Sequence, residues 1–187
     1  MVKLWQVESG RQLAEARVAG ELAGEIFGVP LAWSADGSML AAASANAITL
    51  YESAGLRQLR TLEAGSTVYC VNFTPDGRLL LSAQLDLHLT FWDPRNGTRL
   101  AHIPTSHQEG AYDMCFSPDG RTLATTVDNV KLWSVATRQE VATLRGHTRN
   151  IFAARFSPDG NLLVTSDYEG AVRLWPAPPF EEIGGGQ

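Results

Sequence analysis

The sequence predicts an all-β repeat protein made of four-stranded antiparallel units, on three observations. A five-residue phrase recurs as WSADG at 33–37, FTPDG at 73–77, and FSPDG at 116–120 and 156–160, so Asp-Gly pairs begin at Asp36, Asp76, Asp119 and Asp159 in steps of 40, 43 and 40. An aliphatic run ending in an aromatic keeps the same period: VKLW at 2–5, ITLY at 48–51, LTFW at 89–92, VKLW at 130–133 and VRLW at 172–175. Within one period, runs such as AYDMCF, TLATTV, NVKLW and EVATLR are β-rich and separated by turn residues, and no window carries a helical stripe. Two independent markers at one spacing of about 40–45 residues define a repeat architecture.

Taken in order, VKLW at 2–5 reads as the third strand of a unit lacking its first two, and LAEARV at 13–18 as a completing fourth strand, giving a partial unit over 1–22. Whole units follow over 23–64, 65–105 and 106–146, then 147–175 with three strands and no clear fourth. Residues 176–187, PAPPFEEIGGGQ, read as a flexible Pro/Gly-rich tail, because successive prolines and glycines are poor strand formers. The recurring phrase is a hairpin. Proline presets φ at the first central position, Asp tolerates the second, and Gly takes the positive φ that closes the turn. Pro75, Pro118 and Pro158 fill the proline place, and Ala35 fills it in the first copy.

Bulk properties narrow the function. The chain has 187 residues, 44% hydrophobic and 19% charged, enough for a globular core. A net charge of −5 with Lys and Arg scattered singly argues against nucleic acid or an anionic membrane as partner. No run approaches the ~18 apolar residues that span a bilayer. Two cysteines in apolar runs, Cys70 and Cys115, and no visible signal peptide suggest a reducing, cytoplasmic setting. His88, His102, His107 and His147 are too dispersed for paired ligand spacing and no Cys-x-x-Cys occurs, so neither metal nor cofactor is expected.

Strand, PDG hairpin, strand, tight turn, strand ending in Leu-Trp, strand, then Gly-His resembles the WD-repeat β-propeller family from Val2 to Trp175. The resemblance implies four-stranded blades set as part of a ring, and a rigid platform for binding. It also implies a buried hydrogen-bonded chain of His, Ser or Thr, Asp and Trp in each blade. Carried onto this sequence, the sets are His107, Thr125, Asp128 and Trp133; His147, Thr165, Glu169 and Trp175; and Ser82, Asp86 and Trp92, with Ala64 in the histidine place. The first whole blade has Gly24, Asn46 and Tyr51 at the corresponding places, and only Trp92-Asp93 keeps the family's namesake dipeptide. A set that recurs once per repeat reads as a structural device, since an active site seldom comes in copies.

The expected function is a non-catalytic protein–protein scaffold. Its candidate binding rim is Tyr69, Tyr112 and Phe152, each six residues before its hairpin proline, with Tyr168, Arg149 and Gln108 in neighbouring connections. An arc of blades leaves two faces open. Roughly 800 Å² per face, a little over half apolar, at ~25 cal/mol per Å² amounts to about 10 kcal/mol. Three readings of that arc stay open: a segment of a larger propeller protein, a half-ring completed by self-association, or the sensor module of a larger signalling protein. An enzyme fits least, Asp113 beside Tyr112 being the one unrepeated carboxylate near the rim.

Overall fold

A computed structural model describes residues 1–18 and 29–177. Among these, the chain forms strands and no helix. The first sheet pairs β1 (Val2–Trp5) with β2 (Gln12–Ala16). The second runs β3 (Leu31–Trp33), β4 (Met39–Ser44), β5 (Ala47–Glu52) and β6 (Arg57–Glu63). The third runs β7 (Val68–Phe73), β8 (Leu80–Gln84), β9 (His88–Trp92) and β10 (Arg99–Pro104). The fourth runs β11 (Asp113–Phe116), β12 (Thr122–Thr126), β13 (Val130–Ser134) and β14 (Gln139–Leu144), and the fifth β15 (Ile151–Phe156), β16 (Leu162–Asp167) and β17 (Val172–Pro176). Every sheet is an antiparallel meander in chain order, the form of a propeller blade. Pro176, expected in the tail, closes β17 and pairs with Leu162. Gly24 and residues 178–187 lie outside the described residues.

The strands divide into two compact units, β1–β10 within Met1–Ala111 and β11–β17 from Tyr112 onward. In the first, Val2, Leu4, Ala14 and Ala16 of the two-stranded sheet pack on Leu40, Ala42 and Tyr51. The other face of that blade sets Ala41, Ala43, Ile48 and Leu50 against Val68, Val71, Phe73, Leu80 and Trp92. In the second unit, Cys115, Ala124 and Val130 meet Ile151, Ala154 and Leu163. Alanine on β4 lets backbones approach, and branched side chains opposite fill the space. Inner strands are buried on both faces, so β8 reads LLSAQ with all five residues buried, while outer β10, RLAHIP, alternates towards solvent.

The hairpin phrase carries more structure than its turn propensity. Gly37, Gly77, Gly120 and Gly160 hold φ between 67° and 75°, and each amide donates to the carbonyl three residues earlier. The residue before the proline slot also acts. Ser34, Thr74, Ser117 and Ser157 hydroxyls donate to Asp36, Asp76, Asp119 and Asp159 at 2.5–2.6 Å. The same hydroxyls accept the amides of Met39, Leu79, Thr122 and Leu162 at 2.9–3.0 Å. Each Asp in turn accepts the amide two residues on, at 3.0–3.1 Å. The hydroxyl and amide donors hold all four carboxyls below the usual aspartate range, Asp36 at about 2.

A carboxyl whose pKa is depressed by folding stabilises the fold above its unfolded value and loses that contribution as pH falls through the folded one. For Asp36 the window runs from the ordinary 3.8 down to about 2. The expected outcome is a thermal midpoint that drops progressively below about pH 4. Changing the four aspartates to asparagine should lower the neutral-pH midpoint and flatten the acid slope. An unchanged slope in that variant would refute the assignment.

Candidate functional site

One bond recurs in three blades. The indole N–H of Trp92 donates to Ser82 Oγ, that of Trp133 to Thr125 Oγ1 and that of Trp175 to Thr165 Oγ1, each at 2.9 Å. Strand register explains the recurrence, because each tryptophan lies opposite Leu80, Leu123 or Leu163 and the hydroxyl stands two residues further along. In the β3–β6 blade the same register places Tyr51 opposite Leu40 and Ala42 where the hydroxyl would be. Tyr51 instead donates its hydroxyl to the carbonyl of Arg17 at 2.8 Å.

The last blade completes the chain, with one correction. Trp175 donates to Thr165, Thr165 Oγ1 stands 2.8 Å from His147 Nε2, and His147 Nδ1 stands 2.7 Å from Asp167 Oδ2. A carboxylate only accepts here, so Nδ1 carries the proton and Nε2 receives the threonine hydroxyl. The acid is therefore Asp167 and not Glu169. Its carboxylate also caps the following turn, accepting the amides of Glu169 and Ala171, while Glu169 faces solvent in an ion pair with Arg149 at 2.7 Å. The His147 bond is the main cause that lowers the Asp167 pKa. The order hydroxyl, imidazole, carboxylate copies that of a hydrolytic triad, but the His147 and Asp167 side chains are 0% and 2% exposed, so no substrate reaches it.

The other two blades hold different residues at this place. Just after β12 the place equivalent to Asp167 is Val127, buried, and Asp128 beside it accepts from Asn129 Nδ2 at 2.7 Å. His107 is buried after β10, its amide donating to Thr105 Oγ1. In the β7–β10 blade the equivalent place is Gln84, fully buried, whose Nε2 donates to the carbonyl of Ala64 at 3.2 Å. The glutamine thus spans the gap that alanine leaves where a histidine was expected. Asp86 points elsewhere, towards His88 and His102 at 3.5 and 3.6 Å. Those two histidines, distant in sequence, stack at 4.1 Å because β9 and β10 pair antiparallel with His102 opposite Thr90. Spacing along the chain concealed this cluster; strand pairing makes it.

Four of the six rim residues converge in the second unit. Tyr112 and Phe152 stack at 5.0 Å with planes 10° apart, and Tyr168 tilts onto Phe152 at 6.0 Å. Asn150 Nδ2 donates to the Tyr112 hydroxyl at 3.3 Å, and Arg149 stands alongside. Thr148, Arg149, Asn150, Phe152 and Tyr168 line a cleft of about 410 Å³. Phe152 is 39% and Tyr168 77% exposed. In the first unit, Tyr69 Cδ2 and Cε2 lie so close to Gly110 that an added Cβ there would clash with them, so that part of the ring is packed. Gln108 is exposed. Cys115 offers no nucleophile, since burial, and then Asp113, push its thiol up to about 12.

The chain assignments separate by mutation. Thr165→Val leaves the Trp175 and His147 ring nitrogens without their shared partner and should cost about 1–3 kcal/mol in urea unfolding. Asp167→Asn should lower the unfolding midpoint, and Glu169→Gln should leave it unchanged. The opposite order would restore Glu169 to the chain.

A family model described as WD domain, G-beta repeat, matches residues 56–93, 98–134 and 138–176. Each match begins on or beside an outer strand and ends with the third strand of the next sheet. The chain is 30% identical over 112 residues to COMPASS component SWD3 of Saccharomyces cerevisiae, covering 59% of this chain and 35% of that protein. It is 35% identical over 111 residues to pre-mRNA-processing factor 19 homolog 2 of Arabidopsis thaliana, 58% of this chain and 21% of that one. Protein groucho of Drosophila melanogaster is 29% identical over 121 residues, 63% of this chain and 17% of the relative. The matched region thus spans about a third or less of these relatives. With the repeated blades, the indole-to-hydroxyl bonds and the family match over more than half its length, the chain belongs to the WD-repeat family.

Proposed function

We infer that this chain is a non-catalytic protein-interaction scaffold that docks a protein partner on the rim formed by Tyr112, Phe152, Tyr168 and Arg149. The observation carrying this reading is the exposed aromatic cluster beside a cleft of about 410 Å³. Aromatic and arginine side chains on a rigid support lose little entropy on binding and make up a large share of interface hot spots. Packing of the strands beneath supplies the rigidity, and the Arg149–Glu169 pair supplies a polar border. The names of the relatives support the coarse role: one is a component of COMPASS, another a target of rapamycin complex subunit. The acidic net charge favours protein over nucleic acid as partner. Two buried thiols, Cys70 and Cys115, with no disulfide between them, are compatible with a reducing, cytoplasmic compartment.

The test is quantitative affinity capture from the source cells with wild type and a Phe152→Ala/Tyr168→Ala variant, each verified as folded. Partners retained by wild type should fall at least about tenfold in the variant, the effect of losing one hot spot. Equal recovery would reject the rim as the docking surface.

A second reading follows from β17. Among the described residues it pairs only with β16, and Val172 and Leu174 on it are 65% and 64% exposed. Such an edge invites a fourth strand. In this reading the strand comes from missing blades of a larger propeller or from another copy. Light scattering distinguishes the two: self-association predicts a dimer or larger species that a Val172→Lys/Leu174→Lys variant abolishes, and a wild-type monomer rejects self-association.

A further inference from the structure

The β7–β10 blade carries a polar chain, Gln84–Thr90–His102, that runs to the surface. Gln84 is oriented by its donation to the Ala64 carbonyl, which leaves its Oε1 to accept the Thr90 hydroxyl proton at 2.7 Å. Thr90 has one proton, so the contact of 2.8 Å between Thr90 Oγ1 and His102 Nδ1 requires the imidazole to donate. His102 is thereby fixed as the Nδ1–H tautomer, with the Nε2 lone pair directed to Asp86 Oδ2 at 3.6 Å. A lone pair facing a carboxylate is repulsive unless a cation lies between them.

His88 completes the cluster. Its Nδ1 donates to the Asp86 backbone carbonyl at 2.7 Å and lies 3.5 Å from Asp86 Oδ1. The turn holds Asp86 there: Leu87 takes a left-handed φ of 67°, its amide returns to Gln84, and its carbonyl receives both the amide and the hydroxyl of Thr105. One ligand atom from each of Asp86, His88 and His102 lies within 4.8 Å of the other two. Donors on a tetrahedral zinc ion, with bonds of about 2.0–2.1 Å, stand about 3.3–3.4 Å apart.

We propose that Asp86, His88 and His102 form a binding site for a zinc-like divalent cation, clamping the β8–β9 turn to the outer strand β10. Two imidazoles and one carboxylate suit zinc and its borderline neighbours, leaving a fourth position to water. Thr90 and Gln84 act as the oriented support behind His102 that such ligands need. The stacked rings, 3° from parallel, do not point at a common centre, so His88 rotates on binding. It gives up its bond to the Asp86 carbonyl and its stack on His102, and its proton moves from Nδ1 to Nε2. His102 stays in place.

The test is titration of the whole chain, without a histidine tag, with Zn²⁺ against a chromophoric chelator, together with imidazole ¹⁵N spectra. One equivalent of zinc should bind, the His102 Nε2 resonance should shift, and affinity should fall as pH drops through the imidazole range. His88→Ala and Asp86→Asn should each weaken binding by about tenfold or more while circular dichroism stays unchanged. His102→Ala removes a donor from a buried chain and can unfold the blade, so His88→Ala, which breaks one exposed bond, decides the matter. Equal zinc affinity in wild type and His88→Ala, or no zinc bound by the folded wild type, overturns the proposal.

Discussion

The indole-to-hydroxyl bond joining the second and third strands of a blade is the contact on which the rest of this structure depends. It puts a large apolar ring at the end of the third strand and gives its one polar atom a partner inside the sheet. Without that partner the ring would bury an unsatisfied donor or swing outward. Because the hydroxyl must stand two residues beyond the tryptophan's cross-strand neighbour, the bond also selects the pairing register. A slip of one residue would turn every apolar side chain of β8, β12 or β16 to the wrong face. Within each unit the two-sided sheets that result pack on one another through alanine, leucine, isoleucine and valine.

Where the bond is lost, the blade finds a different solution. Tyr51 replaces tryptophan, Ala42 replaces the hydroxyl, and the phenol reaches a backbone carbonyl at Arg17 in the chain after β2. This ties the N-terminal two-strand sheet to the next blade through a hydrogen bond as well as through the apolar face around Val2 and Leu56. The β7–β10 blade keeps its tryptophan and serine but lacks a histidine, and there Gln84 takes over. Its amide is long enough to satisfy the Ala64 carbonyl and still hold Thr90. One substitution therefore redirects the blade's polar chain from the hairpin side to the outer strand, where the two stacked histidines lie.

Function on such a frame depends on what the strand ends carry. Tyr112, Phe152 and Tyr168 lie at or beside strand ends, where Asn150 bonds the Tyr112 hydroxyl and Asp167 caps the turn that carries Tyr168. The exposed rings are thus presented on a rigid base. A carboxylate that appears to a sequence reader as part of the internal chain, Glu169, instead orients Arg149 at the cleft. The triad-like set behind it is sealed, which separates the structural polar groups from those that meet solvent.

The sequence by itself determined the all-β class, the repeat period and the hairpins, because each of these is a local pattern copied several times along the chain; the tryptophan–hydroxyl partners followed from the family resemblance. It also singled out Tyr112 and Phe152, whose phase relative to the hairpin proline is local too. Which carboxylate joins His147 was decided only by the tertiary structure: Asp167 and Glu169 are two residues apart in one turn, and only the strand register and the cap at Ala171 distinguish them. The role of Ser34, Thr74, Ser117 and Ser157 in the hairpins went unread for a similar reason, since a hydroxyl before a turn signals nothing until its geometry is known. His88 and His102 were invisible as a pair because the contact between them is set by antiparallel pairing across fourteen residues of chain. Local propensity encodes the strands; only their packing brings distant side chains to a common point.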